Sequence, residues 1–391
     1  MRIPRPLSQL PLLLLSLTAA VSNAATLTGF AVLPADTFTP GPTSGQFIEA
    51  RNNRQPPFID QQPVQGFSAL IKDEKGAYIV LSDNGFGARD NSSDYILSIY
   101  HVDPDFRTAT GGTGIIQVSK IIRLSDPDRH LPYPATRDKD DLLTGSDLDP
   151  ESLRRAKDGS YWIGEEFSPS LLHFSADGVL LAPPFKVEGL NSADNPTGKE
   201  ANLPRSRGFE GMAISVDGKW LYPMLEGPLE GGGPGLNIYT FDFSEELFVN
   251  NNAYQPSFRY RLDEAASAIG DFTMYSNTAG LVLERDSKEG NNAILKKVYR
   301  IDFNKLDEDG FLIKTLIADL LKINDPHDLN QDGDLLFTFP FWTIEGLVVI
   351  NATTLGIVND NNYPLGQARD NSGSEPDDNE FILIEVDPLW D

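Results

Sequence analysis

Arg207-Gly208-Phe209-Glu210-Gly211-Met212 is a short cassette: a small or apolar start, one acidic residue, then the first residues of an apolar strand. A second apolar run, 220–225, follows it and ends at Glu226-Gly227. The pattern recurs as Gly66-Phe67-Ser68-Ala69-Leu70, Asp149-Pro150-Glu151-Ser152-Leu153, Gly270-Asp271-Phe272-Thr273 and Ile344-Glu345-Gly346-Leu347. Each copy is again followed by a strand that ends in a polar cluster. These clusters are Asp83-Asn84-Gly85, Glu165-Glu166, Glu284-Arg285-Asp286 and Asn359-Asp360-Asn361-Asn362. Two more strands fit before each next cassette. A four-stranded antiparallel module repeating at roughly 60 to 80 residues is the sequence mark of a β-propeller blade.

Five cassettes predict a five-bladed, all-β propeller, with six blades left open if residues 311–339 hold a degenerate module. The last module is one strand short, and residues 26–33 near the N-terminus supply the missing strand and close the ring. Two β-sandwich domains would give strands at the same density, but not polar clusters that recur in register. The punctuation agrees: apolar runs of five to eight residues are separated by Gly, Asp, Asn and Pro. Short helices are expected only at 244–249 and 315–323. Segments 34–63, 126–146 and 186–206 read as long surface loops able to close over a site.

The N-terminus reads as an export signal. Arg2 and Arg5 precede a short apolar run at 10–20, and Ser22-Asn23-Ala24 ends in small residues. The expectation is a signal peptide at 1–24 and one propeller domain at 25–391, exported to the periplasm or beyond the cell. An uncleaved N-terminal anchor is the alternative. No later run approaches the about 20 apolar residues of a membrane span. Cysteine is absent, so thiol chemistry and disulfides are excluded.

The formal charge is -25, and -27 once the leader and its two arginines are removed. Such a field repels nucleic acid and gathers cations. Calcium, a hard ion that takes carboxylate and carbonyl oxygens, is the expected cofactor.

In a propeller the entrances of the innermost strands meet at one end of the central channel. Ser68, Glu151, Glu210, Asp271 and Glu345 are therefore expected to form one ring. Asp83, Glu165 or Glu166, Glu226, Glu284 and Asp360 form a second beside it. Clustered carboxylates need metal ions, arginines or shared protons. Arg207 and Arg285 stand beside the cassettes and are placed to hold an anionic substrate. The competing reading of such groups is that they tie blades together through backbone hydrogen bonds.

These cassettes, in this order and spacing, resemble the phytase-like domain, also described as "esterase-like activity of phytase". The likeness runs over nearly all of the chain beyond the leader. It implies an exported bacterial propeller of phosphoester-hydrolase type. The Arg-His-Gly-x-Arg-x-Pro motif of histidine acid phosphatases is missing, and the calcium-dependent propeller phytases give no clear match.

A separate metal candidate is Asp328-Leu329-Asn330-Gln331-Asp332-Gly333-Asp334, which follows the first half of an EF-hand loop with Asp328, Asn330 and Asp332 as ligands. Its twelfth position is Phe339 instead of Glu, and the same composition also suits an ordinary turn. Residues 306–310 read as a hairpin turn. Of the histidines, His101, His130, His173 and His327, only His327 stands among carboxylates, as a candidate general acid or base. There is no Gly-x-Ser-x-Gly elbow and no phosphate loop.

The expected chemistry is metal-assisted hydrolysis of a small anionic ester or phosphoester. Calcium sits at the central carboxylates, Arg207 and Arg285 orient the anion, and Glu210 or Glu166 acts as base. Two rivals stay open. One is a calcium lactonase with Glu210, Asn84 and Asn361 as ligands. The other is a non-catalytic calcium-stabilised propeller that binds a ligand or partner protein.

Overall fold

The computed structural model describes residues 24–390 except 74, 137–139, 265, 267 and 371. The leader expected at 1–24 lies, apart from Ala24, outside the described residues.

The described chain is all-β. Its helical content is two single 3-10 turns, Arg89–Asn91 and Gly290–Asn292. Among the described residues no helix is long and apolar enough to cross a membrane. Both expected helices are corrected. Most of 315–323 belongs to strand Leu312–Asp319, which pairs antiparallel with Lys296–Leu306. Its Thr, Leu and Ile side chains suit a pleated, half-buried surface, and the tertiary ladder overrides a short helical period. Residues 244–249 form a turn and the two-residue strand Leu247–Phe248, paired with Phe241–Asp242. The 306–310 segment is the hairpin turn between Lys296–Leu306 and Leu312–Asp319, with Gly310 at φ 82°.

Strands Phe67–Lys72, Tyr78–Ser82, Ser98–Asp105 and Ile115–Arg123 pair antiparallel in chain order. Pro150–Arg155, Tyr161–Glu165, Ser170–Phe174 and Phe185–Lys186 do the same. So do Ala268–Met274, Ala279–Arg285, Lys296–Leu306 and Leu312–Asp319. In the middle group, Gly211–Ile214 pairs with Trp220–Met224, whose outer neighbour splits between Gly235–Ile238 and Phe241–Asp242. The last group runs Thr343–Asn351, Thr354–Asp360, Asn379–Glu385 and then Thr26–Leu33. The N-terminal strand thus completes the C-terminal sheet in the register Thr26 to Glu385 through Leu33 to Asn379.

The first strands Phe67–Lys72 and Pro150–Arg155 are buried along nearly their whole length because both faces pack against protein. Phe67–Lys72 lies against Pro150–Arg155, which lies against Gly211–Ile214; that strand meets Ala268–Met274, which meets Thr343–Asn351, which returns to Phe67–Lys72. The first strands therefore meet in a closed cycle. Neighbouring sheets enclose separate apolar cores. Trp162 and Leu171 meet Phe209, Met212 and Phe241 in one, and Met224 and Leu236 meet Phe272 and Val282 in another. Each such side chain contributes roughly 1.5–3 kcal/mol on burial.

One buried ion pair crosses the middle. Arg154 Nη2 donates to Asp271 Oδ1 at 3.0 Å, while Asp271 Oδ2 accepts the Leu347 N–H at 2.9 Å. Asp271 so links three sheets at once.

Candidate functional site

A β-bulge at the same place in four first strands decides which side chains turn inward. The ladder slips between Phe67 and Ala69, Pro150 and Ser152, Ile269 and Asp271, and Ile344 and Gly346. The bulged residues are Ser68, Glu151, Gly270 and Glu345. Glu210 stands just ahead of the Gly211–Met224 pair in the remaining sheet. A bulge re-aims a side chain out of the pleat. The inner tier is therefore Ser68, Glu151, Glu210, Gly270 and Glu345, and Asp271 is not a member. One residue of register puts a side chain on the opposite face, and Asp271 goes to Arg154 instead. A side chain at 270 would have no room, since a Cβ there would lie 1.8 Å from the Ile344 carbonyl oxygen.

The second tier follows the same logic. Backbone N–H groups of Asp83, Glu166 and Glu226 donate to Gly66, Asp149 and Gly208 carbonyls at 3.0, 3.0 and 2.9 Å. The corresponding residues elsewhere are Arg285, opposite Ala268, and Asp360, opposite Thr343. Glu165 and Glu284 fall one residue short and face between sheets. Glu165 accepts N–H groups from Phe167 and Ser168 at 3.0 and 2.6 Å. Glu284 is taken by the Tyr260 hydroxyl, the Lys314 ammonium and the Asp263 N–H. Glu165 Oε1 also accepts the Asp149 backbone N–H at 3.3 Å, but neither carboxylate joins the inner carboxylates. In both tiers the 268–285 module offers no carboxylate; it supplies a glycine and an arginine.

That arginine is the hub. Arg285 Nη2 lies 2.7 Å from Glu226 Oε1, 3.3 Å from Glu345 Oε1 and 3.5 Å from Glu210 Oε1. Burial opposes its charge, but Glu226, Glu345 and Glu210 outweigh that and raise its pKa. Arg285 is 7% exposed, so it serves the carboxylates and not an incoming anion. Arg207 bonds the other oxygen of Glu226 and keeps about a third of its side chain, 32%, in solvent. It stands at the rim.

Three overlapping triads bring carboxylate oxygens within 4.8 Å of one another: Asp149, Glu151 and Glu166; Glu151, Glu210 and Glu345; Glu166, Glu210 and Glu226. Arg285 touches members of the second and third triads. Among the described residues the first has no arginine or lysine bonded to it. Burial, and then the neighbouring carboxylates, pushes Glu151, Glu166 and Glu210 well above the usual carboxylate range. Glu345 is pushed up to about 8 by burial in spite of Arg285, and Asp149 and Asp360 to about 6. Asp83, half-buried at the edge, is also raised by burial and by Asp360 and Asp149. Glu210 Oε1 is buried and, beyond the 3.5 Å ion-pair approach of Arg285, has no hydrogen-bond partner among the described residues.

Asp149 is the member that residue patterns missed. It occupies the place held by Gly66 and Gly208 in other modules, so no recurrence marks it. Asn84 and Asn361, both expected as ligands, are committed elsewhere. Asn84 Nδ2 donates to Asp149 Oδ2 at 2.8 Å and its Oδ1 accepts the Gly87 N–H at 3.0 Å. Asn361 Nδ2 donates to the Asp377 carbonyl at 3.0 Å. Asp360 accepts from the Asn362 N–H and the Thr343 hydroxyl at the edge of the cluster.

The Asp328 loop does not join the cluster; its Asn330 and Asp332 line a different cavity, with Arg369 and Glu380. It hangs from Asn324, which pairs with Thr26 beside Glu385, at the end of the last sheet opposite Asp360. Its polar atoms serve the turn: Asp328 Oδ1 accepts the Gly333 N–H at 3.0 Å, and Asn330 Nδ2 donates to Asp332 Oδ2 at 2.7 Å. His327 is exposed on this loop and does not join the cluster.

A family model described as "Phytase-like: Esterase-like activity of phytase" matches residues 62–363. The chain belongs to that family. The match begins just before the first cassette and ends just after Asp360, so the phytase-like region holds both tiers. A relative from Arthroderma benhamiae, described as an uncharacterized secreted protein, is 26% identical over 201 residues, 39% of this chain and 37% of that protein. The chain thus spans little more than a third of the length of that curated relative. Three solved structures are also similar. A luciferin-regenerating enzyme has TM-score 0.39 at 13% identity, covering 82% of this chain and 78% of its own. The PQQ-bound aldose sugar dehydrogenase of Streptomyces coelicolor has TM-score 0.35 at 13% identity, with 93% and 100% covered. PorZ of Porphyromonas gingivalis has TM-score 0.38 at 12% identity, with 83% and 36% covered.

Proposed function

We propose that this phytase-like chain is an exported five-bladed β-propeller, residues 25–391 after removal of a leader at 1–24. In this reading it hydrolyses ester or phosphoester bonds with a calcium ion held at its inner carboxylates. The five-blade count rests on the closed cycle of first strands and on the N-terminal strand that completes the last sheet. Export, to the periplasm or the medium, rests on the Arg2, Arg5 and 10–20 pattern and on the secreted description of the relative.

One observation carries the functional reading: of three overlapping buried carboxylate triads, two are met by guanidinium groups, Arg285 and Arg207, which neutralise only part of the cluster. The donor set is all carboxylate oxygen, which suits a hard divalent cation. The triad Asp149, Glu151 and Glu166, with no arginine or lysine bonded to it among the described residues, would hold the ion, with Glu210 beside it. Calcium there would neutralise substrate charge and acidify a bound water.

The chain's own groups do the rest. Arg207, at the rim, binds the anionic end of the substrate as a planar fork. Glu210, kept protonated by burial and by Glu345 and Glu226, is suited to give its proton to the leaving oxygen. Arg285 positions Glu210, Glu226 and Glu345 without touching substrate.

Assays with p-nitrophenyl phosphate, bis(p-nitrophenyl) phosphate and a δ-lactone test this, each with calcium and with chelator. Turnover is expected to fall roughly 100-fold in Glu210→Gln, with KM little changed, and to vanish with chelator. Turnover indifferent to both would refute the mechanism. A non-catalytic, calcium-stabilised propeller is favoured by a different fact: Glu151, Glu210, Glu226 and Glu345 are only 8, 3, 2 and 4% exposed. In that case chelator lowers the melting temperature and no ester is turned over.

A further inference from the structure

A cavity of about 420 Å³ opens beside the carboxylate cluster and shares two residues with it, Asp149 and its partner Asn84. Its walls come from two loop segments, residues 87–90 and 193–206, and Phe167 contributes the one aromatic surface. Arg89 and Arg205 line it from opposite loops. Arg207, the rim residue on Glu226, follows Arg205 by two positions.

Two arginines, Arg89 and Arg205, line this opening together with Asp90, Asp149 and Asp194, in a chain with 57 acidic and 32 basic residues. The bonding of the two arginines differs in a useful way. Arg89 is fixed by its stem: Nε donates to the Ser146 carbonyl at 2.9 Å, and the Ser146 hydroxyl returns a bond to the Arg89 carbonyl. Its two terminal nitrogens have no hydrogen-bond partner among the described residues. Arg205 is 77% exposed, and its one ion pair among the described residues is with Asp194, at 3.2 Å. An exposed pair of that kind is weak and readily exchanged for another oxyanion. A fixed guanidinium fork and an exchangeable one lining the same cavity suit planar or tetrahedral oxyanions, bound through paired N–H···O contacts.

We propose that this cavity binds the oxyanion group of the substrate, a phosphate or carboxylate, between Arg89 and Arg205, with the reacting bond directed at Asp149 and the cluster behind it. The assignment rests on the hydrolase reading for its biological meaning, but the binding can be measured without turnover. It also gives the 186–206 insertion a role in binding, since Asp194 holds Arg205 until an anion replaces it.

The test is calorimetric titration of the mature chain, in calcium buffer, with inorganic phosphate and separately with acetate. The expected result is one phosphate or acetate site whose affinity falls at least 10-fold in Arg89→Gln/Arg205→Gln, while calcium affinity stays as in the parent. The stronger of the two anions identifies the group. Arg89→Gln alone serves if the double variant does not fold. Phosphate and acetate binding equal in variant and parent, or absent from both, overturns the assignment. If the parent turns over no ester yet loses phosphate binding in the variant, the cavity assignment stands and the hydrolase reading fails. If esters are hydrolysed and the variant's preference for charged over neutral esters is unchanged, the reverse holds.

Discussion

Arg285→Met should destabilise the calcium-free protein by about 3–5 kcal/mol at pH 8, the range for removing one partner of a buried ion pair. Arg285 Nη2 faces Glu226, Glu345 and Glu210 in a site with almost no solvent. Methionine fills similar volume but leaves Glu226 with Arg207 alone and the other two carboxylates with no guanidinium. They can escape only by taking up protons. The loss should therefore be smaller at pH 5, where protons are plentiful, and larger at pH 8. Calcium should recover part of it, because the added cation replaces the missing charge. Urea unfolding of metal-stripped parent and variant at the two pH values measures this. A difference below about 1 kcal/mol at pH 8 would mean that the hub is not neutralising the cluster.

The metal-stripped parent should itself lose stability as pH rises from about 4 to 8, opposite to the trend set by ordinary surface ion pairs. Burial raises Glu345 from 4.5 to about 8, Glu165 from 4.5 to about 7, and Asp149 and Asp360 from 3.8 to about 6. Each is protonated in the folded chain over a range where the unfolded chain has released its proton. The folded state then binds more protons, so unfolding is favoured by rising pH. The contribution is complete below the unfolded values near 4 and disappears as pH passes each folded value, from about 6 up to about 8. Each tenfold change in a proton-binding constant corresponds to about 1.4 kcal/mol, which puts the combined effect at several kcal/mol. Surface carboxylates whose pKa is lowered, such as Asp36 beside Arg54, lose their contribution only below about 4, outside this window. Calcium binds the ionised carboxylates and should flatten the decline. Melting temperatures with chelator and with millimolar calcium, taken in small steps from pH 4 to 8.5, decide the matter. A chelated protein that grows more stable toward pH 8 would contradict the buried-cluster account.

Much of this arrangement was legible from the cassettes. The recurrence of one polar residue ahead of an apolar strand placed Glu151, Glu210 and Glu345 together, and the second-strand ends placed Glu166, Glu226, Arg285 and Asp360 near them. The misplacements share one physical cause. Side-chain direction alternates along a strand, so Asp271, Glu165 and Glu284 were each misassigned by a single residue. Aligning the cassettes on their preceding Phe, Pro or Ile, as Phe67-Ser68, Pro150-Glu151, Phe209-Glu210, Ile269-Gly270 and Ile344-Glu345, puts Gly270 at the inner position. It thereby shows that this module brings no inner carboxylate. Asp149 left no such signal because its counterparts are glycines. The Asp328 loop stands outside the cluster, and several of its oxygens accept backbone N–H groups of the turn itself, a pattern that local composition cannot distinguish from coordination. The expected helices failed because ladder partners distant in sequence, Lys296–Leu306 above all, overrule a short local period.

Calcium titration at pH 7 in two buffers of different ionisation enthalpy tests the central claim most directly. Carboxylates held protonated by burial must give up protons when a cation takes them. The account predicts saturable calcium binding whose measured heat differs between the buffers, showing proton release, and affinity reduced at least about 10-fold in Glu151→Gln. Calcium heats identical in the two buffers, or binding unchanged by Glu151→Gln, would contradict it.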